Sequence, residues 1–129
     1  MDADVVVIGA GATGCGIARD LAMRGASVVV VDRGSVNAGT TGRSHGLLHS
    51  GARYAEADPD GARECAAENR RLRSIAGACV RDTGGLFVSL ADDDPDYADR
   101  KLAACRECGI DAAPVSIEAA RERVPGLDR

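Results

Sequence analysis

"DVVVIGAGATGCGIARDLAMRGASVVVVD", residues 4–32, is the stretch on which the fold turns. Val5–Ile8 is an unbroken apolar run, predicted to be a strand buried on both faces of a parallel sheet. Over residues 13–24 the apolar side chains Ile17, Ala18, Leu21 and Ala22 recur at helical spacing. Gly25 follows as the C-terminal cap and residues 27–31 read as a second buried strand. Strand, helix and parallel strand within about thirty residues make a right-handed βαβ unit. The fold class read from this stretch is α/β.

Between the first strand and the helix, Gly9-Ala10-Gly11-Ala12-Thr13-Gly14 fits G-x-G-x-x-G. The first glycine allows the tight turn, the second lets the backbone approach a diphosphate, and the third lets helix and strand pack closely. The free N–H groups of the first helical turn, where Thr13 lies, carry the positive end of the helix dipole toward the phosphates. Asp32 closes the second strand eighteen residues beyond Gly14, placed to accept hydrogen bonds from an adenosine ribose. Arg33 stands beside it at the rim of the cofactor site. It reads as a solvated arginine, with the 2′-phosphate of NADP as the alternative ligand. The pattern names a dinucleotide and leaves NAD and FAD open.

Outside this unit the composition narrows the choice of function. The chain has 129 residues and a net charge of −4, with acids and arginines mixed along it, so no basic stripe supports a nucleic-acid partner. Only Phe87, Tyr54 and Tyr97 are aromatic, so the core must be built from Val, Leu, Ile and Ala. Fifteen arginines stand against the single lysine Lys101, which reads as a bias of usage. The acidic start lacks the basic head and long apolar stretch of a secretory leader, and the aliphatic runs are too short to span a bilayer. Five cysteines in such a context are expected to be free thiols of a reducing cytoplasm. Cys105 and Cys108 form a single C-x-x-C late in a helical segment. Without further ligands at suitable spacing the pair reads as ordinary helix cysteines, and no metal site is expected.

A glycine-rich loop, residues 34–51, follows the second strand, with a short helical turn expected over residues 43–48. Its core is "TTGRSHGLLHSGARY", residues 40–54, which holds both histidines of the chain. Small and hydroxyl side chains let backbone N–H groups line an extended cofactor, and a flavin ring offers a rim of carbonyls and nitrogens that needs such donors. Further βαβ units would be expected at this point of a nicotinamide enzyme, so the loop favours FAD.

Beyond the loop, Asp58 caps a long helix with Pro59 at its first position. Its inward face is read as Ala62, Cys65, Asn69, Leu72, Ala76 and Cys79, with Arg70, Arg71 and Arg73 on the solvated side. Residues 80–90 read as a strand pair turning at Gly84-Gly85. A helix then starts at Asp94-Pro95 and stops at Gly109, residues 113–116 form a short strand, and Ser116 caps a last helix ending before Pro125. The internal boundary falls near Cys79.

Three stretches together, residues 5–34, residues 39–55 and "ARECAAENRRLRSIA" at residues 62–76, resemble the FAD-dependent glycerol-3-phosphate dehydrogenases. The likeness is greatest to the large catalytic subunit of the anaerobic type, whose signature similarly reads T-G-R-x-H-G-L-L-H-S-G-A-R-Y. It runs along essentially the whole chain and includes "GGLFV" at residues 84–88. The resemblance implies a Rossmann-like FAD-binding unit of the D-amino-acid-oxidase and glutathione-reductase type. Residues 1–79 would be the first segment of the FAD-binding domain, and residues 80–129 the first segment of a substrate domain.

On individual positions, the resemblance implies that Gly9, Gly11, Thr13 and Gly14 hold the FAD diphosphate and that Asp32, with Arg33 beside it, serves the adenosine end. Thr40, Thr41, Gly42, Ser44, His45, Gly46 and Leu47 would lie along the flavin half. His49, Arg53 and Tyr54 would border the substrate, with the Arg53 guanidinium meeting the phosphate of glycerol 3-phosphate bidentately. The implied reaction is hydride removal from C2 of sn-glycerol 3-phosphate, giving dihydroxyacetone phosphate. A neutral imidazole suits the accompanying proton transfer near pH 7. Electrons would pass through partner subunits to a quinone, and those subunits would tether a cytoplasmic enzyme to the inner face of the membrane. Members of this family are several times longer, so Arg129 is expected to be a truncated end. A piece ending there is expected to associate with itself and to be inactive alone. The competing readings are another FAD-dependent or NAD-dependent oxidoreductase, and a dinucleotide-binding fragment without activity.

Overall fold

The computed structural model describes residues 2–127, which form two compact units, one ending at Leu47 and one beginning at Leu48. In the first, strand β1 (Val5–Ile8) leads to helix α1 (Ala12–Met23) and strand β2 (Val28–Val31). The strands are parallel, with Val5 beside Val28 and Ile8 beside Val31. This is the βαβ unit expected from residues 4–32, with Gly25 closing α1 at φ +91° through its N–H to the Ala22 carbonyl. Alternation in a strand sends Val7 toward α1, where it is buried, and sends Val6 and Ile8 to the other face.

Burial of both strand faces does not hold among the described residues. A single crossover helix covers one face of a two-stranded ribbon, and Ile8 is left 87% exposed. Past β2, Asn37 takes a left-handed backbone (φ +62°) and a 3₁₀ turn forms over Thr40–Arg43. The helical turn expected over residues 43–48 is therefore displaced toward the N-terminus. Gly46 (φ +70°) follows in irregular chain, where a non-glycine residue would be strained.

The second unit starts with a series of turns over residues 51–57 and continues into helix α2 (Pro59–Ala76). The Asp58 carboxylate accepts from the Gly61 N–H at 3.0 Å, as a capping residue before an N1 proline should. Helices α3 (Tyr97–Glu107) and α4 (Ile117–Arg123) follow. Ser116 caps α4 by accepting from the Ala119 N–H at 3.2 Å. Helix α3 begins two residues after Pro95, because a turn over Asp94, Pro95 and Asp96 precedes it.

The core of this unit is made of small side chains: Ala52, Ala55, Ala62, Cys105 and Cys108. Cys105 and Cys108, one turn apart on the buried face of α3, are packing residues. The Cys108 thiol points to the Pro59 carbonyl at 3.6 Å, and burial pushes the Cys105 thiol up from its ordinary value. Both are free thiols, and no metal-holding cluster occurs among the described residues. No helix there is long and apolar enough to cross a membrane.

Three sequence expectations need correction. The stripe of α2 is buried only at its start, at Ala62 and Ala66, whereas Leu72 and Cys79 are exposed. Its later turns are met by polar groups instead: the Asn69 amide bonds the Leu48 and His49 carbonyls, and Arg73 pairs with Asp82. Residues 80–90 form no strand pair, and residues 113–116 form no strand. A strand exists only where another segment completes its ladder, and here none does. Phe87, Val88 and Leu90 accordingly lie exposed.

Candidate functional site

The glycine motif of the first unit folds into a cradle. Gly9 turns the chain at φ +111° while its N–H still bonds the Val31 carbonyl at 2.7 Å. A Cβ on Gly14 would overlap the Gly9 carbonyl oxygen, so the first turn of α1 lies directly on the loop. A Cβ on Gly11 would come to 3.0 Å from the Thr41 hydroxyl, which accepts the Ala12 N–H at 3.0 Å. Thr41 thus caps α1 from the far side of the loop, since Gly11 has no side chain with which to do so. Thr13 lies exposed in the same turn.

Two shallow hollows share Ile8 and Gly9. One, of about 370 Å³, is lined by Asp32, Arg33, Gly34 and Gly39, and the other, of about 290 Å³, by Gly11, Thr13, Gly14 and Thr41. Both lie at the end of β1, the first on the Asp32 side and the second at the start of α1.

Asp32 is tied to the loop through both carboxylate oxygens. Its Oδ2 accepts the Ala10 N–H at 2.7 Å and its Oδ1 accepts the Gly34 N–H at 2.8 Å. These two backbone donors, Ala10 foremost, hold its carboxyl below the usual carboxylate range. Each oxygen keeps a further lone pair, so a ribose hydroxyl can still be accepted. Gly42 acts inside the loop, where a Cβ would overlap the Asn37 carbonyl oxygen. Thr40 belongs to the same 3₁₀ turn, and Ser44 closes it with its N–H toward the Thr41 carbonyl at 3.4 Å. The His45 Nδ1 accepts the Leu47 N–H at 3.0 Å, which in a neutral ring leaves the proton on Nε2. Leu47 itself is exposed.

In the second unit, His49, Arg53 and Tyr54 flank one tight turn. The His49 and Tyr54 rings stand 6.3 Å apart at 45°. Gly51, at φ +91°, makes the turn possible. Its carbonyl accepts the Tyr54 N–H at 2.9 Å, and a Cβ there would overlap the Ala62 carbonyl of α2. Arg53 is exposed and forms no ion pair among the described residues.

Two residues that hold this turn escaped the sequence reading of the site. The Asn69 amide donates to the His49 carbonyl at 3.2 Å and to the Leu48 carbonyl at 3.4 Å, tying the histidine segment to α2. Its signal was a polar residue in the middle of an apolar stripe. Lys101 is buried on α3 and directs its ammonium to the Arg53 carbonyl at 3.4 Å. Its signal was being the only lysine.

The family described as "FAD dependent oxidoreductase" (DAO) matches residues 4–129. The chain is 59% identical over 123 residues to one subunit of the anaerobic glycerol-3-phosphate dehydrogenase of Haloferax volcanii, covering 95% of this chain and 21% of that one. It is 50% identical over 125 residues to the corresponding subunit of the anaerobic glycerol-3-phosphate dehydrogenase of Escherichia coli K12, covering 97% of this chain and 23% of that one. Over 51 residues it is 49% identical to the mitochondrial glycerol-3-phosphate dehydrogenase of Mus musculus, covering 40% of this chain and 7% of that one. It therefore spans about a fifth of the length of the two anaerobic relatives. No solved structure matches it significantly.

Proposed function

This chain belongs to the FAD dependent oxidoreductase family, and from that premise we propose that it is part of an enzyme oxidising sn-glycerol 3-phosphate to dihydroxyacetone phosphate. The observation that carries the reading is the identity of half or more, along nearly the whole chain, to relatives named as subunits of anaerobic glycerol-3-phosphate dehydrogenases. The residue geometry supports it, since the cradle fits the family's cofactor. At Gly14, in the first turn of α1, a Cβ would overlap the Gly9 carbonyl of the loop, and α1 opens with no side-chain cap from its own N-cap residue. Gly9, Gly11, Thr13 and Gly14 would hold the diphosphate, Asp32 the ribose, with Arg33 at its rim. Thr40, Thr41, Gly42, Ser44, His45, Gly46 and Leu47 would line the flavin half.

FAD, when bound, supplies the acceptor for the hydride leaving C2 of the substrate. The chain's own residues do the rest. The Arg53 guanidinium binds the phosphate through a planar pair of N–H donors. Tyr54 adds a hydroxyl donor beside it. A neutral imidazole, at His45 or His49, receives the C2 hydroxyl proton. Residues 1–79 would belong to the FAD-binding domain and residues 80–129 to the substrate domain. Electrons would leave through partner subunits to a quinone, a route that suits relatives named as subunits of a larger enzyme. Those partners would hold a cytoplasmic enzyme against the inner face of the membrane.

The test is made on the intact gene product. It should purify yellow with FAD and reduce an artificial dye when given sn-glycerol 3-phosphate. Protein that stays colourless in excess FAD, or a yellow protein indifferent to the ester, rejects the proposal.

A further inference from the structure

We propose that Lys101 is a positioning residue for substrate phosphate, acting through the main chain of Arg53. The inference rests on the reading of Arg53 as the phosphate ligand.

Lys101 is 8% exposed, which is unusual for a lysine, and a buried ammonium persists only where its charge is met. Three groups meet it. The Arg53 carbonyl lies at 3.4 Å, at the long end of hydrogen-bond range, and the Glu56 carboxylate at 3.6 Å. The Phe87 ring lies 4.7 Å below the nitrogen, within reach of a cation–π contact. Two of these three partners bracket Tyr54, in the turn that carries the proposed substrate residues. Glu56 is in turn shared with Arg100 at 3.7 Å, and Arg100 holds Asp94 at 2.7 Å. The turn is thereby tied to α3 across 48 residues of sequence.

Removing the ammonium frees the carbonyl of the residue whose guanidinium must meet the phosphate. It leaves that guanidinium chemically intact. A misplacement of about 1 Å at such a group is enough to weaken binding by an order of magnitude or more. The signature is therefore a loss of affinity that depends on Arg53.

The experiment uses the intact gene product and measures sn-glycerol 3-phosphate affinity by calorimetry, with KM and kcat per bound flavin alongside. Lys101→Met is expected to raise Kd and KM about tenfold with kcat per flavin changed less than about twofold. In an Arg53→Ala background the same substitution should change Kd by less than about twofold, since the group it positions is gone. Glu56→Gln, which keeps shape and removes one partner charge, should raise Kd about threefold and carries the test if Lys101→Met does not accumulate. Unchanged affinity in these variants, or an equal loss with and without Arg53, overturns the inference. Wild-type protein that binds the ester without oxidising it rejects the proposed reaction and leaves the affinity comparison to decide this one. Wild-type protein that binds none rejects both.

Discussion

Residues 2–47 and residues 48–127 are held together by different kinds of atoms. In the first unit the decisive contacts are backbone ones: the α1 turn on the Gly9 carbonyl, the Gly42 approach to Asn37, and Ala10 and Gly34 N–H groups on the Asp32 carboxylate. In the second they are side chains: a core of alanines and two cysteines, an asparagine holding a histidine segment, and a buried lysine under an arginine turn. The glycines of such a cradle can be written in a few neighbouring residues. A side-chain core has to be assembled from segments tens of residues apart.

That contrast can be broken from either side in the intact gene product. The largest effect is expected at Gly14→Ala, where the new methyl meets main chain that cannot swing aside. We expect a loss of about 3 kcal/mol of stability and of bound flavin, read by urea unfolding and by the absorbance of the purified protein. A variant that keeps its yellow colour and its midpoint would show that the cradle is looser than described. Next is Gly51→Ala, strained by its positive φ and by the Ala62 carbonyl. It should cost about 2 kcal/mol and raise KM for the ester while flavin content is retained, separating the two units by readout. Loss of flavin instead would contradict that separation.

Asp58→Ala tests the cap of α2 alone. About 1 kcal/mol is expected in a thermal or urea melt, with little change in flavin content. The smallest effect is a pH dependence at Asp32. Its carboxyl is held low in the folded protein, chiefly by the Ala10 N–H. It therefore stabilises the fold above the unfolded carboxylate range, near pH 4, and that contribution is lost as pH falls through the lower folded value. Asp32→Asn should flatten this part of the acid limb in urea midpoints taken from pH 7 to 3, and an unaltered limb would dismiss the role.

The legible parts of the sequence were those whose causes are local. Val5–Ile8, α1 and β2 followed from a valine run, a three-and-four spacing and glycines at a close approach. Asp58 and Ser116 were recognisable as caps because a cap is a matter between residues three apart. The family, too, was readable from the motif at residues 40–54, a long contiguous run of specific residues. Where the reading went astray, the cause lay at a distance. The apolar alternation of residues 80–90 has no ladder partner among the described residues, and the later stripe of α2 lies exposed at Leu72 and Cys79.

By itself, then, the sequence determined the βαβ unit, the glycines of the cradle, the caps of α2 and α4 and the family, each of which is written in a short contiguous run of residues. The tertiary structure alone decided that Asp32 spends its oxygens on the loop, that Cys105 and Cys108 are core, and that the lone lysine lies under Arg53. Each of those is a question of which distant segment arrives at a given surface. Burial and charge pairing are properties of the two segments that meet, and neither one announces them in its own residues.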